Sequence, residues 1–274
     1  MGADAVPPDP RTPTGRPGEA VVLGTAMMFL TRLPVGRFCS PDPAVLSLAT
    51  RWFPLVGLVV GTLLSMIWLI VSAFAPSSIA CFAVIVAGVL LTGAFHEDGL
   101  ADVADSAGAF GRERKLEIMR DSRVGTYGAL ALVLLVLARF TLLWELSVMT
   151  TEIFVAALLV AHVMARWSSV WLMARVAYAR PEAANRAVAG SVDTRRLLEA
   201  TGVASLALVP SALLLGQDAV VSLPVLALCV FAITLSVARS FRRRFGGITG
   251  DCLGAGNVLV EVGVLTGALL LAGP

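Results

Sequence analysis

Seven runs of predominantly apolar residues dominate this chain, each closed by charge or by proline and glycine: 54–75, 79–95, 128–149, 153–176, 199–215, 219–237 and 252–272. A helix needs about 20 apolar residues to cross roughly 30 Å of hydrocarbon, and most of these runs reach that length. Only 79–95 and 199–215 sit at the lower limit. Backbone polar groups in a bilayer must be satisfied within the chain, so such runs fold as helices. With 57% hydrophobic and 15% charged residues, and a mean hydropathy of +0.85, the chain lies well outside soluble domains, where about 25% of residues are charged. The expected fold is an all-α integral membrane protein. It is a bundle of about seven transmembrane helices plus a short N-terminal interfacial or re-entrant helix over 20–31, closed by Arg32.

Lysine and arginine accumulate in cytoplasmic loops, and here they alternate cleanly. Segments 1–53, 96–127, 177–198 and 238–251 hold 5, 5, 4 and 4 of them, 18 of the 21 in the chain. Arg139, Arg166 and Arg175 lie inside spans, and the connections 76–78, 150–152 and 216–218 hold none. The long polar loops are therefore expected on the cytoplasmic side of the cell membrane, with the C-terminus outside after seven crossings. Topology and lipid head groups account for the basic residues, so the net charge of +2 does not point to a nucleic acid as partner. Oligomeric assembly is left open.

The first 18 residues carry Pro7, Pro8, Pro10, Pro13 and Pro17 and are expected to be a disordered tail, unlike a signal peptide; residues 19–274 form one polytopic domain. Cys39, Cys81, Cys229 and Cys252 have no CxxC or metal-ligand spacing, which argues against a disulfide framework or a thiolate metal site.

Four segments on the expected cytoplasmic side carry chemistry. The first is His96-Glu97-Asp98-Gly99-Leu100-Ala101-Asp102-Val103-Ala104-Asp105, four carboxylates in nine residues with no basic residue from 96 to 111. On a helix Asp98, Asp102 and Asp105 fall within about 60° of one another. Such a stripe repels itself unless a cation is present, and a divalent ion carrying a phosphorylated substrate fits best. Asp98 and Asp102 are about 6 Å apart along the axis and can share an ion; Asp98 and Asp105, about 10 Å apart, cannot. Two ions, or one completed by an acid from another segment, are both compatible. Carboxylates favour Mg²⁺ over softer metals, and Gly99 permits close backbone approach or a break in the helix. The bland alternative is a solvated helix start favoured by the dipole.

The second segment, 118–128, sets Arg120 and Arg123 around Asp121 and Ser122 and closes with Gly125-Thr126-Tyr127-Gly128. Guanidinium forks bind phosphate oxygens, and a glycine turn at a helix start exposes N–H groups to an anion. A phosphate clamp and an ordinary positive flank fit the pattern equally. The third, 242–255, places four glycines around Thr249 and Asp251, an irregular backbone suited to a ligand, followed by Asn257 and Glu261. Glu261 lies near the middle of its span, where an unpaired carboxylate costs about 3 kcal/mol or more. Arg139, Arg166 or His162 can serve as its partner, and a structural polar network is the plainer reading. The fourth, 29–36 with 51–57, carries Arg51, Trp52 and Pro54 as membrane-entry signals.

Together these segments resemble the cobalamin synthase family, adenosylcobinamide-GDP ribazoletransferase. The resemblance rests on Phe-Leu-Thr-Arg-Leu-Pro-Val at 29–35, Phe-Pro-Leu-Val-Gly at 53–57 and Phe-His-Glu-Asp-Gly-Leu-Ala-Asp-Val-Ala-Asp at 95–105. It continues through Ile-Met-Arg-Asp-Ser-Arg-Val-Gly-Thr-Tyr-Gly at 118–128 and Gly-Gly-Ile-Thr-Gly-Asp-Cys-Leu-Gly-Ala at 246–255. One departure is Ser106, where the family usually has glycine. The tail and loop 177–198 lie outside the pattern. The resemblance implies a membrane-embedded, Mg²⁺-dependent transferase that joins adenosylcobinamide-GDP to α-ribazole or its 5′-phosphate and releases GMP. Under it, Asp98 and Asp102 are the first choice as Mg²⁺ ligands, with Glu97 and Asp105 as further ligands. Asp105 or Asp251 takes the hydroxyl proton, since a base needs only hydrogen-bond reach. Arg120 and Arg123 hold the diphosphate, supported by Arg51 or Arg244.

Two alternatives compete. The CDP-alcohol phosphotransferases of phospholipid synthesis carry an Asp-Gly-x-x-Ala run followed by Arg, whereas this chain reads Asp98-Gly99-Leu100-Ala101-Asp102. A small transporter is suggested by Arg139, Glu145, His162, Arg166 and Glu261 within spans, yet it is expected to carry repeated broken helices with midplane sites.

Overall fold

A computed structural model describes residues 17–179 and 192–273, and among them the chain is all α, with twelve helices and a single isolated parallel bridge, Tyr178 to Ile248. The expected disordered tail over 1–18 falls almost wholly outside the described residues. Helix α1, Glu19–Leu30, has 12 residues and so spans about 18 Å, too little to cross a bilayer. Its end is hooked to the bundle, because the Arg32 amide donates to the Leu91 carbonyl at 2.7 Å. Helix α2, Pro43–Ala49, starts on an Asp42 cap accepting from the Ala44 amide at 2.8 Å, and runs through a 3₁₀ turn into α3, Phe53–Ser72.

Helix α8, Thr151–Arg175, is the centre of the bundle, with 83% of its apolar window buried by the rest of the chain. Close packing on α3 requires Gly57 and Gly61. A Cβ on Gly57 would strike the His162 carbonyl, and one on Gly61 would lie 3.1 Å from Leu159 Cα. Small residues let helix backbones approach in this way. Around α8 also pack α7, Thr126–Ser147; α9, Thr194–Ala207; α10, Val209–Leu215; α11, Ala219–Phe245; and α12, Gly250–Ala272.

Two features depart from a simple count of apolar runs. Among the described residues five helices qualify as spans by length and apolarity, or six when the bent pair 77–92 with 95–108 counts as one. The expected pair 199–215 and 219–237 lies inside one helical stretch of 52 residues, 194–245. Yet both ends of that stretch meet α8 at Arg175. Its guanidinium donates to Thr194 Oγ1 at 3.4 Å, and Arg242 donates to its carbonyl at 2.5 Å. A straight helix of that length would extend about 78 Å, so the chain turns back, at Gly216 with φ +58°.

The second feature is the bend. Helix α4, Ser77–Thr92, ends on left-handed Gly93 (φ +67°), and the next residue, Ala94, is also left-handed at φ +57°. These two residues turn the chain by 89° into α5, Phe95–Asp105. The acidic run is therefore a separate helix, and the break comes before it at Gly93–Ala94, not at Gly99. Helix α6, Arg112–Ile118, follows. The ends of α5, α8 and α11 and the starts of α7, α9 and α12 gather on one face, held by Arg112, which donates to the Phe245 carbonyl at 2.7 Å and the Ala179 carbonyl at 3.0 Å.

Candidate functional site

Helix α5 carries the acids, and its neighbours determine what each can do. At its start, Glu97 is buried and accepts from Arg139 of α7 at 2.5 Å. Arg139 also forks onto Glu261 of α12, donating from Nε at 2.8 Å and Nη2 at 2.9 Å. Of the three partners open to Glu261, Arg139 is the one that pairs with it. Arg166 bonds His162 Nδ1 at 2.8 Å, and that imidazole lies 3.9 Å from the Glu261 carboxylate. Two arginines and two glutamates thus balance inside the bundle, which is what makes such charges tolerable at this depth. The cluster lines a small cavity of about 30 Å³ among Leu64, Ile85 and Leu143.

In the middle of α5, Asp98 is exposed and Asp102 half-buried, one turn apart. Gly99 faces the first turn of α12, where a Cβ would lie 2.7 Å from the Asp251 carbonyl oxygen. Glycine here admits the α12 backbone and so seats Asp251 beside the acidic run. Asp251 Oδ2 accepts from Thr249 Oγ1 at 3.1 Å, while Thr249 caps α12 through the Cys252 amide at 3.3 Å.

At the end of α5, Asp105 accepts from two amides at the start of α7, that of the N-cap residue Gly125 at 2.7 Å and that of Gly128 at 2.8 Å. The Gly-x-x-Gly turn does receive an anion, and the anion is the chain's own carboxylate. Arg244 reaches the same end, donating to Ser106 Oγ at 3.4 Å and lying 5.2 Å from the centroid of the Phe245 ring. Ser106, the departure from the family pattern, thus holds an arginine beside the acids.

The other arginines divide. Arg120 is exposed in the loop before α7. Arg123 forks onto Asp121, from Nε at 2.9 Å and from Nη2 at 2.5 Å, which holds the Asp121 carboxyl down at about 2. Arg51 is elsewhere. It pairs with Glu19 at 2.6 Å and approaches Glu199 at 3.6 Å, in a cavity of about 330 Å³ that none of the α5 acids lines.

Among the described residues no three His, Cys, Asp or Glu side chains are gathered as a metal-binding group. Glu97 and Asp105 are engaged with α7, and Arg51 with α1 and α9. The 246–254 glycines mainly serve close packing: Gly246 ends α11 at φ +72°, a Cβ on Gly247 would strike the Ala177 carbonyl, and one on Gly254 would lie 3.2 Å from the His96 carbonyl. The bracing role of Arg112 carries no sequence signal, since it bonds backbone carbonyls far along the chain. All four cysteines are free.

A polytopic helical membrane protein whose acids and arginines meet on one face defines the class. The family model for cobalamin-5-phosphate synthase matches residues 22–269, and the chain belongs to that family. It is 39% identical over 257 residues to an adenosylcobinamide-GDP ribazoletransferase of Shewanella amazonensis, covering 90% of this chain and 94% of the relative. A protein of the same name from Shewanella woodyi is 37% identical over 240 residues, covering 86% of this chain and 91% of the relative. No solved structure matches. The protein is accordingly a transferase of cobalamin synthesis.

Proposed function

We propose that the protein joins adenosylcobinamide-GDP to α-ribazole or its 5′-phosphate and releases GMP, using Mg²⁺ on the cytoplasmic side of the cell membrane. A ribose hydroxyl forms the new oxygen–phosphorus bond at the phosphorus attached to the corrinoid side chain. The bond from that phosphorus to GMP breaks, and GMP leaves with its electron pair. The observation that carries this reading is the placement of Asp98 and Asp102 one turn apart on α5, with Asp251 packed beside them at Gly99.

The donor set fits Mg²⁺. That ion is commonly bound by one or two carboxylates, with waters and substrate phosphates completing its shell, so a pair of aspartates suffices without a three-acid cage. Asp98 and Asp102 would hold it. When bound, it offsets charge on the diphosphate oxygens. Asp251 takes the proton of the attacking hydroxyl, Thr249 orienting its carboxylate. Arg120 and Arg244 approach the same face as donors to phosphate oxygens, and Arg123 joins them by exchanging Asp121 for substrate. All three serve in-line positioning and charge stabilisation.

The test is GMP release by the purified, detergent-solubilised protein from adenosylcobinamide-GDP, with α-ribazole and with its 5′-phosphate, in Mg²⁺ and in EDTA. Turnover that needs both the corrinoid and the ribazole, and that stops in EDTA and returns with Mg²⁺, supports the reading. Turnover in EDTA removes the metal, and absence of turnover with both acceptors removes the substrates.

A further inference from the structure

We infer that Glu97 and Asp105, the acids at the two ends of the run, are positioning residues that clamp α5 to α7. This rests on the reading in which Asp98 and Asp102 hold the metal, and assigns the other two acids of the run a different task. Both have partners on the same helix. Glu97 meets Arg139 in the middle of α7, and Asp105 meets the amides of Gly125 and Gly128 at its start. Glu97 and Asp105 are eight residues apart, about 12 Å along α5, and Gly128 and Arg139 are eleven apart, about 16 Å along α7. The order of contacts is antiparallel, and two contacts so separated fix both the register and the rotation of α5. Asp98 and Asp102 lie between them.

The glycines show how closely the lower clamp is fitted. A Cβ on Gly125 would lie 2.5 Å from Asp105 Oδ1, and its three nearest neighbours are all atoms of that carboxyl group. A Cβ on Gly128 would strike Asp105 Oδ2. Gly125 has φ −91°, which any residue adopts, so glycine is needed there for room and not for backbone conformation. The same turn ends the loop bearing Arg120 and Arg123, so the clamp also sets the arginines against the aspartates. A ligand of the metal and a clamp make different demands. Only the clamp involves the glycines.

The experiment compares Asp98→Asn, Asp105→Asn, Glu97→Gln, Gly125→Ala and the double variant Gly125→Ala/Asp105→Ala, as purified full-length proteins. Read-outs are KM for adenosylcobinamide-GDP, the Mg²⁺ concentration for half activation, and the Mg²⁺-induced shift in thermal midpoint without substrate. Gly125→Ala and Asp105→Asn are expected to share one phenotype, a KM raised by up to about 10²-fold through misplacement of the substrate-positioning groups, with half activation and the Mg²⁺-induced shift as in the unaltered protein. Glu97→Gln, which keeps an acceptor for Arg139, is expected to retain the Mg²⁺-induced shift. Asp98→Asn should lose it. If Gly125→Ala fails to accumulate in the membrane, the double variant should restore it, because the clash is with that carboxylate.

Loss of the Mg²⁺-induced shift in Asp105→Asn or Glu97→Gln overturns the inference. So does failure of the double variant to rescue an unfolded Gly125→Ala. An unaltered protein with no Mg²⁺ response at all instead sinks the metal reading, while the glycine phenotype and its rescue still report on the clamp alone.

Discussion

Glu261 sits eleven residues into α12, at a depth where a lone carboxylate is costly, and is stabilised by two donors from Arg139. Removing one member of such a cluster leaves the remaining charges buried and uncompensated. Arg139→Gln is therefore expected to destabilise the protein by about 3–5 kcal/mol, read as a lowered thermal midpoint in detergent; an unchanged midpoint would show the cluster to be hydrated. At the surface, Arg123 holds Asp121 at about 2, below its ordinary 3.8. A depressed carboxyl group favours the paired form above 3.8 and loses that contribution as pH falls through about 2. The Asp121 carboxyl resonance should accordingly stay ionised from pH 8 to pH 4 and titrate below. Titration near pH 4 would mean that the Arg123 fork is open in solution. The sequence narrowed the partner of Glu261 to three residues but did not choose between them, because that choice depends on how α7 and α8 are rotated in the assembled bundle. Asp251 is a third residue with a definite expectation, since loss of a proton acceptor costs about 10²–10⁴-fold in kcat. Asp251→Asn should fall in that range with the KM for the corrinoid substrate little changed.

Helix boundaries were the more legible level for long spans and the less legible one around the acidic run. Apolarity and length pointed to 128–149, 153–176 and 252–272, and the helices Thr126–Ser147, Thr151–Arg175 and Gly250–Ala272 lie within a few residues of them. The 89° turn before α5 was not legible. Gly93 is an ordinary helix end, but an alanine in the left-handed region has no signature, and it is Ala94 that carries the turn on into a new helix. That conformation costs an L-residue about 1–2 kcal/mol, less the greater chain entropy of a glycine. Ala94→Gly should thus leave stability unchanged or raise it by up to about 1 kcal/mol, whereas Ala94→Val should lower it and reduce turnover, both measured by thermal unfolding and GMP release. A stable, active Ala94→Val would argue that the bend is relaxed in the membrane. The same scale explains the Gly-x-x-Gly turn. Its anion-binding character was visible in the residues, but its occupant, Asp105, is twenty residues away from Gly125 along the chain and is brought there by the path of the intervening segment through α6.

For the molecule as a whole, charge alternation and apolar runs foretold an all-α membrane bundle with its polar motifs together, and α5, the α6–α7 loop and the start of α12 do meet on one face. The turn at Gly216 was legible, because residues 216–218 separate two apolar runs; the number of crossings was less so, because among the described residues the run over 79–95 qualifies as a span only together with the bent helix that follows it. The accumulation of arginine in alternate loops gives an expected orientation. Cysteines placed at Ser77 and at Ser122 are expected to label from opposite sides of intact cells, Ser77→Cys directly and Ser122→Cys only after permeabilisation; the reverse order would invert the topology and put the site outside. In the proposed mechanism Asp98 and Asp102 are the metal-binding pair, and the rest of the fold presents them. The most direct measurement is Mg²⁺ binding by calorimetry to the purified protein and to Asp98→Asn and Asp102→Asn variants that retain the native thermal midpoint. Binding lost in both, together with at least about 10²-fold in GMP release, is the predicted result. Undiminished Mg²⁺ affinity in either variant would contradict it.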